Sequence, residues 1–348
     1  MQLYNLEERI IQLNNPIERK RIKNFLKEQG LDYDHDIEYT IAFLHENKII
    51  ATGSFSGKVL KCIAVDSKYK GLGLSNKVVS LLVSEEYQRG RTHLFIYTKP
   101  SNYKMFSDMG FYKIIELPEK VVLMENDPNG IKKYIDEISN LKRKGKIISS
   151  IVMNCNPFTL GHQYLIEKAA SISDVLHIFV VWEDKSTFPP EVRYKLIKNG
   201  TKHISNVIVH KGKDYIISNA TFPSYFIKEG KEIVKTHAFL DLKIFSEYIA
   251  PSLNINRRFV GEEPYCPVTK AYNEAMKKLL PEYGIEVVEI PRFTVKGTPV
   301  SASKVREFLK KEEFSNIQEL VPKTTYDYLI SNDAKPIIKK MKNSAGRH

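Results

Sequence analysis

The sequence predicts an α/β protein of two domains, in which an α+β domain is followed by a doubly wound parallel sheet. From residue 147 to about residue 333, apolar runs of strand length alternate with helical patterns, which is the order that builds a parallel sheet covered by helices. Before residue 127, several of the predicted strands are instead joined by short polar turns. A chain of 348 residues is long enough for two cores of this kind.

The domain boundaries follow from these patterns and from the charge distribution. We predict a first domain at residues 1–126, a connecting helix or linker at 127–146, a second, catalytic domain at 147–333 and a tail at 334–348. The tail contains five Lys or Arg residues and no acidic residue, and we predict that it is disordered.

The composition excludes several classes of protein. Hydrophobic residues make up 42% and charged residues 27%, as in soluble globular proteins, and no apolar stretch has the length of a membrane span. The three cysteines have neither disulfide nor zinc spacing, which favours a reducing, cytoplasmic compartment and no metal site. The net charge of +12 is spread without basic blocks interleaved with aromatic residues, so we expect no nucleic-acid binding.

The first domain is predicted to contain helices and short strands. A helical pattern at 16–30 precedes a loop that contains Lys68, Gly71 and Gly73, and a long helix starts at about Leu74. Glycines between a strand and a helix let backbone amides approach a phosphate, although a Gly-x-Gly pattern alone is a weak signal. The strands that we predict in this domain are at residues 38–44, 48–56, 59–65 and 92–98.

The stretch most indicative of function is IISSIVMNCNPFTLGHQ at residues 147–163. Its apolar start predicts a strand buried on both faces, and a helical pattern follows the polar and proline residues that end it. Thr159 and His162 share one side of the first helical turn, while Gly161 leaves the backbone accessible. Because helix N-termini present free N–H groups, we predict a triphosphate site here; the alternative is a capping Thr with a surface His.

A second stretch of the same character is TPVSASKVR at residues 298–306. Ser301 is a good N-cap for the helix predicted at 303–311. Ser303, Lys304 and Arg306 would add donors and positive charge at this helix start, which suits phosphate oxygens.

Other polar residues near predicted strand ends leave alternatives open. Glu262 follows a strand predicted at 258–261 and is compatible with a nucleotide or metal role or with a plain surface position. Arg193 would be within reach of a phosphate, but we predict a solvated side chain. His177 lies inside an apolar run and is predicted to be a core or face histidine.

Together the two stretches resemble the signatures of the nucleotidyltransferase superfamily, (H/T)xGH and ISSTxxR, which here read TLGH and VSASKVR. The resemblance implies a Rossmann-like domain that uses ATP and Mg²⁺, with catalytic roles for His162, Thr159 and Arg306. The residues that it implies for ATP binding are Asn156, Pro157, Phe158, Thr159, Gly161, His162, Ser301, Ser303, Lys304 and Arg306.

The first domain resembles the N-acetyltransferase (GNAT) fold. The loop of that fold, (Q/R)xxGx(G/A), is matched by Lys68, Gly71 and Gly73, with Lys68 in place of Gln or Arg. The resemblance implies that backbone amides of this loop bind a coenzyme-A-like arm. The residues show no convincing general base for acetyl transfer, and a relic that binds nothing is the alternative.

The two domains in this order, with NPFTLGH, ATFPSYF, FLDLKIF, RFVGEEP and EIPRF, resemble the citrate lyase ligase family over almost the whole chain except the tail. The resemblance implies an enzyme that activates acetate as acetyl-adenylate, with release of AMP and diphosphate. It also implies that the acetyl group passes to the thiol prosthetic group on the acyl carrier subunit of citrate lyase. The partners implied are therefore acetate and the citrate lyase complex, with no nucleic acid and no membrane.

Two other functions remain open from the sequence. A small-molecule adenylyl- or cytidylyltransferase of the same superfamily would make a stable nucleotide product. A non-catalytic regulator would bind nucleotide and coenzyme A without turnover. Acetate-dependent formation of AMP separates the ligase from both.

Overall fold

The computed structural model describes residues 6–343 except 184, 218–221, 224, 226, 228–229, 265 and 296, and gives only the backbone of residues 230 and 231. The chain divides into a first unit, Met1–Lys133 with Pro223–Thr236, and a second unit, Tyr134–Phe222 with His237–His348. The division after Lys133 falls inside the predicted linker. Residues 223–236 were predicted to belong to the second domain, whereas the described residues among them belong to the first unit.

Within its described residues, the first unit is an α+β structure, as predicted. Its elements in chain order are β1 (Glu7–Ile10), α1 (Pro16–Glu28), β2 (Tyr39–His45), β3 (Lys48–Ser56), β4 (Val59–Val65), α2 (Leu74–Gln88), β5 (Phe95–Thr98), α3 (Tyr103–Asp108), β6 (Tyr112–Leu117) and β7 (Val121–Glu125).

The described strands of the first unit form one sheet in the order β1-β2-β3-β4-β5-β7-β6. Of its neighbouring pairs, β4 and β5 run parallel and the others run antiparallel. Helix α2 packs so closely on this sheet that a Cβ built at Gly53 would lie 2.4 Å from the Val78 Cγ1. Strand β1 was not predicted, because its sequence EERI is mostly polar and its side chains are largely exposed.

The chain continues through a longer series of elements. In order they are α4 (Gly130–Ser139), β8 (Ile148–Met153), α5 (Leu160–Ser171), β9 (Val175–Val180), α6 (Pro190–Gly200), β10 (Val207–Lys211), α7 (Gly230–Ile244), α8 (Ala250–Leu253), β11 (Arg257–Gly261), α9 (Pro267–Leu279), β12 (Glu286–Ile290), β13 (Thr294–Val295), β14 (Thr298–Pro299), α10 (Ala302–Lys311), α11 (Phe314–Gln318), α12 (Lys323–Leu329) and α13 (Lys335–Asn343).

The main sheet of the second unit confirms the doubly wound prediction. Its described strands are all parallel and lie in the order β10-β9-β8-β11-β12. The chain winds outward from β8 in one direction and then from β11 in the other. In such sheets, ligands bind beyond the carboxyl ends of the strands where the winding direction reverses. The end of β8 is therefore the expected place for a site.

Two helical predictions need correction. The helix predicted at 238–249 begins earlier, at Gly230, and passes at Phe245–Ile249 into a π-helical turn. The tail predicted to be disordered contains helix α13. Its Ile338 and Met341 are three residues apart and buried, in a cluster with Val305 and Leu309 of α10. The charge of the tail suggested disorder, whereas the spacing of these apolar residues suits one buried face of a helix.

Candidate active site

Strand β8 and helix α5 form the predicted strand–helix junction. Thr159 is the N-cap of α5, and its hydroxyl accepts a hydrogen bond from the His162 N–H at 3.4 Å. In return the His162 side chain accepts a bond from the Thr159 N–H, with 3.0 Å between that nitrogen and Nδ1. The reciprocal pair is a capping box, in which His takes the place usually held by Glu or Gln.

This cap fixes the proton on the His162 imidazole. Because Nδ1 accepts from the Thr159 N–H, the neutral ring carries its proton on Nε2. Burial, with a smaller contribution from the positive charge of Arg292, lowers the pKa of His162 to about 4. At neutral pH the side chain is therefore an uncharged donor at Nε2.

The side chains just before the helix shape the loop. Asn156 is buried and its side-chain oxygen accepts from the Phe188 N–H at 2.9 Å. Phe158 is fully buried and packs so tightly that a Cβ at Gly200 would lie 2.4 Å from its Cε1. Pro157 is buried as well, and Thr159 is only 1% exposed. ATP binding by these four residues stays a prediction, and because their side chains face protein, it would have to use their backbone groups.

The second predicted stretch forms the start of helix α10. Ser301 is its N-cap and accepts from the Lys304 N–H at 3.2 Å. Arg306 donates from Nη1 to the Asn156 carbonyl oxygen at 2.5 Å and from Nη2 to the Ser303 hydroxyl at 3.2 Å. The two stretches, 150 residues apart in sequence, are therefore in direct contact.

Two further contacts involve the first turn of α5. A Cβ built at Gly161 would lie 3.4 Å from the Val300 carbonyl oxygen, so the first turn of α5 is close to the residue that precedes the cap of α10. The Leu160 N–H donates to the Leu320 carbonyl oxygen at 2.9 Å. The absence of a side chain at Gly161 thus permits this close packing.

Arg193 differs most from its prediction. It was expected to be solvated, but its side chain is fully buried. Its guanidinium donates to the carbonyl oxygens of Phe188 at 2.8 Å, Val181 at 2.6 Å, Glu183 at 2.7 Å and Asn154 at 3.1 Å. Arg193 therefore links the chain segments that follow β8 and β9 by hydrogen bonds. No sequence motif indicated this role.

Asn154 and Arg292 are further polar residues near the site that sequence reasoning did not select. Asn154 follows β8, is exposed, and donates from its side-chain nitrogen to the Ser186 hydroxyl at 2.9 Å. The charge of Arg292 reaches His162, and its Nη1 lies 3.2 Å from a Glu263 carboxylate oxygen. Their positions could have marked them in the sequence, because both residues follow strands of the parallel sheet, where ligands bind.

The other predicted site residues are Glu262 and three residues of the first unit. Glu262 is exposed after β11, where its N–H donates to the Ile290 carbonyl oxygen at 3.0 Å. Lys68, Gly71 and Gly73 belong to the first unit, in the loop that enters α2. Gly71 and Gly73 have φ angles of 81° and 72°, and nothing lies within 4 Å of a Cβ built on either. The loop backbone is therefore accessible.

Among the described residues, no group of three or more His, Cys, Asp or Glu side chains is arranged to hold a metal ion. His177 and His210 are buried and share a hydrogen bond, with 2.8 Å between Nδ1 and Nε2. No helix in the described part of the chain is long and apolar enough to span a membrane.

Comparisons with known proteins match both units. The family model of the citrate lyase ligase C-terminal domain matches residues 148–329. A [citrate [pro-3S]-lyase] ligase of Klebsiella pneumoniae is 42% identical over 327 residues, covering 93% of this chain and 96% of that protein. A [citrate [pro-3S]-lyase] ligase of Escherichia coli K12 is 43% identical over 313 residues, covering 88% of this chain and 89% of that protein. An acetyltransferase structure of the GNAT family from Staphylococcus aureus is 14% identical, covering 35% of this chain and 100% of that one, with a TM-score of 0.30.

Proposed function

The chain belongs to the citrate lyase ligase family, and from this membership we propose how its residues carry out the ligase reaction. It is a ligase that activates citrate lyase by acetylation. In the proposed first step an acetate oxygen attacks the α-phosphorus of ATP, the bond to the bridging oxygen breaks, and diphosphate leaves. In the second, the thiol of the carrier's prosthetic group attacks the acetyl carbon, loses its proton and forms a thioester, and AMP leaves.

The observation that carries the proposal is the contact of two helix starts. Arg306 at the start of α10 binds the carbonyl oxygen of Asn156, three residues before the cap of α5. Both helices present N–H groups and a positive dipole end at their first turns. Two such ends beside a guanidinium suit a triphosphate, which carries several negative charges in a short length.

We assign His162 the role of a neutral donor to the phosphate oxygens. Its Nε2–H is available because the cap occupies Nδ1. Such a donor is most useful where negative charge grows during the attack, and a fixed donor stabilises that charge without reorganisation. Thr159 acts through His162, as a positioning residue, since its hydroxyl is buried 2.9 Å from the Nδ1 atom.

We assign the β- and γ-phosphates to the start of α10. A guanidinium has five N–H donors, so Arg306 can keep its bond to Asn156 and still bind phosphate. Ser303 is exposed beside it, and Lys304 is half-buried with its amine 5.9 Å from the centre of the Phe308 ring. The Ser301 hydroxyl caps the helix, so we propose that it orders this turn and that the turn's backbone contacts ATP.

The acid substrate explains why the site needs no general base. Acetate is ionised at neutral pH, so its oxygen is already a nucleophile. The protein has to hold it in line with the leaving diphosphate and neutralise charge, as in other transfers at phosphorus. We propose that a Mg²⁺ ion would neutralise triphosphate charge; among the described residues, no group of three or more acidic, His or Cys side chains is arranged to hold it alone.

We propose that the loop with Lys68, Gly71 and Gly73 holds the prosthetic arm of the acyl carrier, which is similar to coenzyme A. The loop's open backbone and its two left-handed glycines support this assignment. N–H groups at the start of α2 suit the phosphate of such an arm, and Lys68 would add a positive charge.

Formation of AMP from ATP, acetate and the thiol carrier tests the proposal directly. Replacing His162 by Ala removes a donor to the reacting phosphate, so we expect the rate to fall about a hundredfold or more. His203→Ala is a matched control, because His203 is an exposed histidine of the same unit with 57% of its side chain accessible. Omitting acetate should abolish AMP formation. The proposal would be contradicted if AMP formed without acetate, or if the His162→Ala variant formed AMP at the wild-type rate.

A further inference from the structure

Helix α1 of the first unit carries a row of positive charges on one side. Arg19, Lys20, Lys23 and Lys27 are exposed, and the buried residues of the helix are all apolar. In a regular α-helix these four cations fall within an arc of about 100° and a length of about 12 Å. We call this surface the α1 cationic face. Its positive charge is concentrated on one side of the helix rather than spread around it.

The α1 cationic face has no acidic partners within the described part of the chain. None of its four cations takes part in an ion pair there. Other exposed cations of the unit do form such pairs; the Lys104 Nζ, for example, lies 2.6 Å from an Asp108 carboxylate oxygen. Glu18, in the first turn of α1, instead accepts from the Gln12 N–H at 2.6 Å. The charge of the face is therefore available to a partner.

This arrangement of charge does not stabilise the helix. Lys23 is four residues from both Arg19 and Lys27, a spacing at which like charges repel each other. Arg19 and Lys20 also lie near the N-terminal end of α1, where the helix dipole is positive. The α1 cationic face therefore lowers the stability of its own helix, and a role in binding explains it better than a role in folding.

A cavity of about 410 Å³ adjoins the face. Its lining includes Lys23 and Lys27 from the helix and Asp32, Tyr33 and His35 from the segment that follows. The amine of Lys23 lies 5.0 Å from the centre of the Tyr33 ring. Because the two lysines outnumber Asp32, the cavity gives the face a concave part that suits an acidic side chain of a partner.

An exposed apolar side chain borders the cations. Ile17 is 72% exposed, the highest value for a large apolar side chain among the described residues. It lies three residues before Lys20, so the two side chains are neighbours on the helix surface. Surfaces that bind single-stranded nucleic acid combine cations with aromatic rings that stack on bases, and the exposed residues of α1, all of them described, include no aromatic one. The face therefore suits an acidic protein better than a nucleic acid.

We propose that the α1 cationic face docks an acidic surface of the acyl carrier subunit of citrate lyase. This inference rests on the proposed function, in which the carrier is the protein substrate and the first unit holds the carrier's arm. Opposite charge on two proteins speeds their encounter and orients it. The face thus contacts the folded part of the carrier, in addition to the contact between the arm and the loop before α2.

Charge reversal tests the docking surface. In a double variant, Lys23→Glu with Lys27→Glu, the carrier meets negative instead of positive charge. At low salt, kcat/KM for the carrier in AMP formation should therefore fall about tenfold or more. Lys104→Glu with Lys133→Glu is the matched control, because it makes the same change of charge at lysines of the same unit whose side chains are 83% and 68% accessible. This control should change kcat/KM little.

Ionic strength provides a second measurement on the same proteins. For the wild type, kcat/KM for the carrier should fall as salt is raised from about 0.01 M to about 0.15 M, since the screening length shortens from about 30 Å to about 8 Å. The double variant should lose this dependence. In the proposed reaction, acetate-dependent exchange of ATP with pyrophosphate needs no carrier. Equal exchange by the wild type and the double variant would show that the variant is folded.

The possible outcomes separate this inference from the proposed function. The inference would be overturned if the double variant used the carrier as well as the wild type does, or if exchange and carrier use fell equally. If the variant instead loses binding of a single-stranded oligonucleotide and keeps carrier use, the face serves a nucleic acid and the inference is wrong. Absence of exchange in the wild type would refute the ligase chemistry. Carrier binding, measured by calorimetry at the two salt concentrations, would still test the docking surface.

Discussion

At the scale of single residues, one histidine caps a helix and is also assigned a part in the proposed chemistry. As the third residue of α5, His162 completes the helix cap with Thr159, and that bond determines which nitrogen carries its proton. A Glu at this position would also cap the helix, but it would bring a negative charge close to a triphosphate. A capping His adds a neutral donor instead.

The protonation of His162 gives a prediction at this scale. We expect its imidazole to titrate near pH 4 and to carry its proton on Nε2 above that value, because burial and Arg292 both disfavour the charged ring. Nitrogen-detected NMR of labelled protein measures both properties, and the signal missing from His162→Ala assigns the resonance among the nine histidines. A midpoint near 6.5 would show that the ring is solvated.

The same shift has a consequence for stability. The pKa of His162 lies below its unfolded value of about 6.5, so the unfolded chain binds the proton more readily between these two values. The stabilising contribution is therefore complete above about pH 6.5. It is lost progressively as the pH falls toward 4.

At the scale of secondary-structure elements, the site depends on how α10 is held. Its inner face contributes Val305 and Leu309 to a cluster that includes Ile338 and Met341 of α13. Arg306, on the same helix, reaches the loop before α5. The C-terminal helix therefore supports the start of α10, although it contributes no residue to the proposed site.

Truncation tests this support. Removing residues 335–348 exposes the cluster beneath α10. We expect the free energy of unfolding to fall by about 3 kcal/mol or more, because the buried side chains of Ile338 and Met341 are lost. We also expect the KM for ATP to rise, because Arg306 loses its fixed position. Chemical denaturation and steady-state kinetics measure the two effects. Truncation after Asn343, which keeps α13, is the control; equal losses in both variants would contradict the proposed support.

At the scale of the whole molecule, the proposed reaction divides between the two units. Acetate activation is assigned to the second unit and binding of the carrier arm to the first. The two half-reactions should therefore be separable by mutation. Such separation distinguishes a ligase with an arm-binding unit from one whose first unit is a relic.

Gly71→Trp provides the test. Gly71 has a φ of 81° in the loop before α2, so a large side chain strains the loop and covers its amides. We expect the rate of citrate lyase activation to fall about tenfold or more, which is the effect of losing the backbone hydrogen bonds to one phosphate. Acetate-dependent exchange of ATP and pyrophosphate should be retained. Gly90→Trp is the matched control, since Gly90 has a φ of 77° and open space at the other end of α2. If exchange falls as much as activation, the division of labour is wrong.

The sequence by itself determined most elements and the two stretches of the candidate site. The largely apolar runs that became β8 and β9 are almost entirely buried in a parallel sheet, and that environment leaves a direct signature in composition. Thr159 and Ser301 could be recognised because helix caps depend on side chains within three residues. Local physics of this kind is readable from a single stretch.

Only the tertiary structure decided which side chains serve as supports. The burial of Arg193 and the inward orientation of Phe158 both depend on partners far away in the chain. An arginine within a helix looks the same in sequence whether its side chain faces water or, like that of Arg193, binds four carbonyl groups. Burial is a property of the packed chain, since it is fixed by whatever the fold brings against a residue, and no short stretch of sequence contains that information.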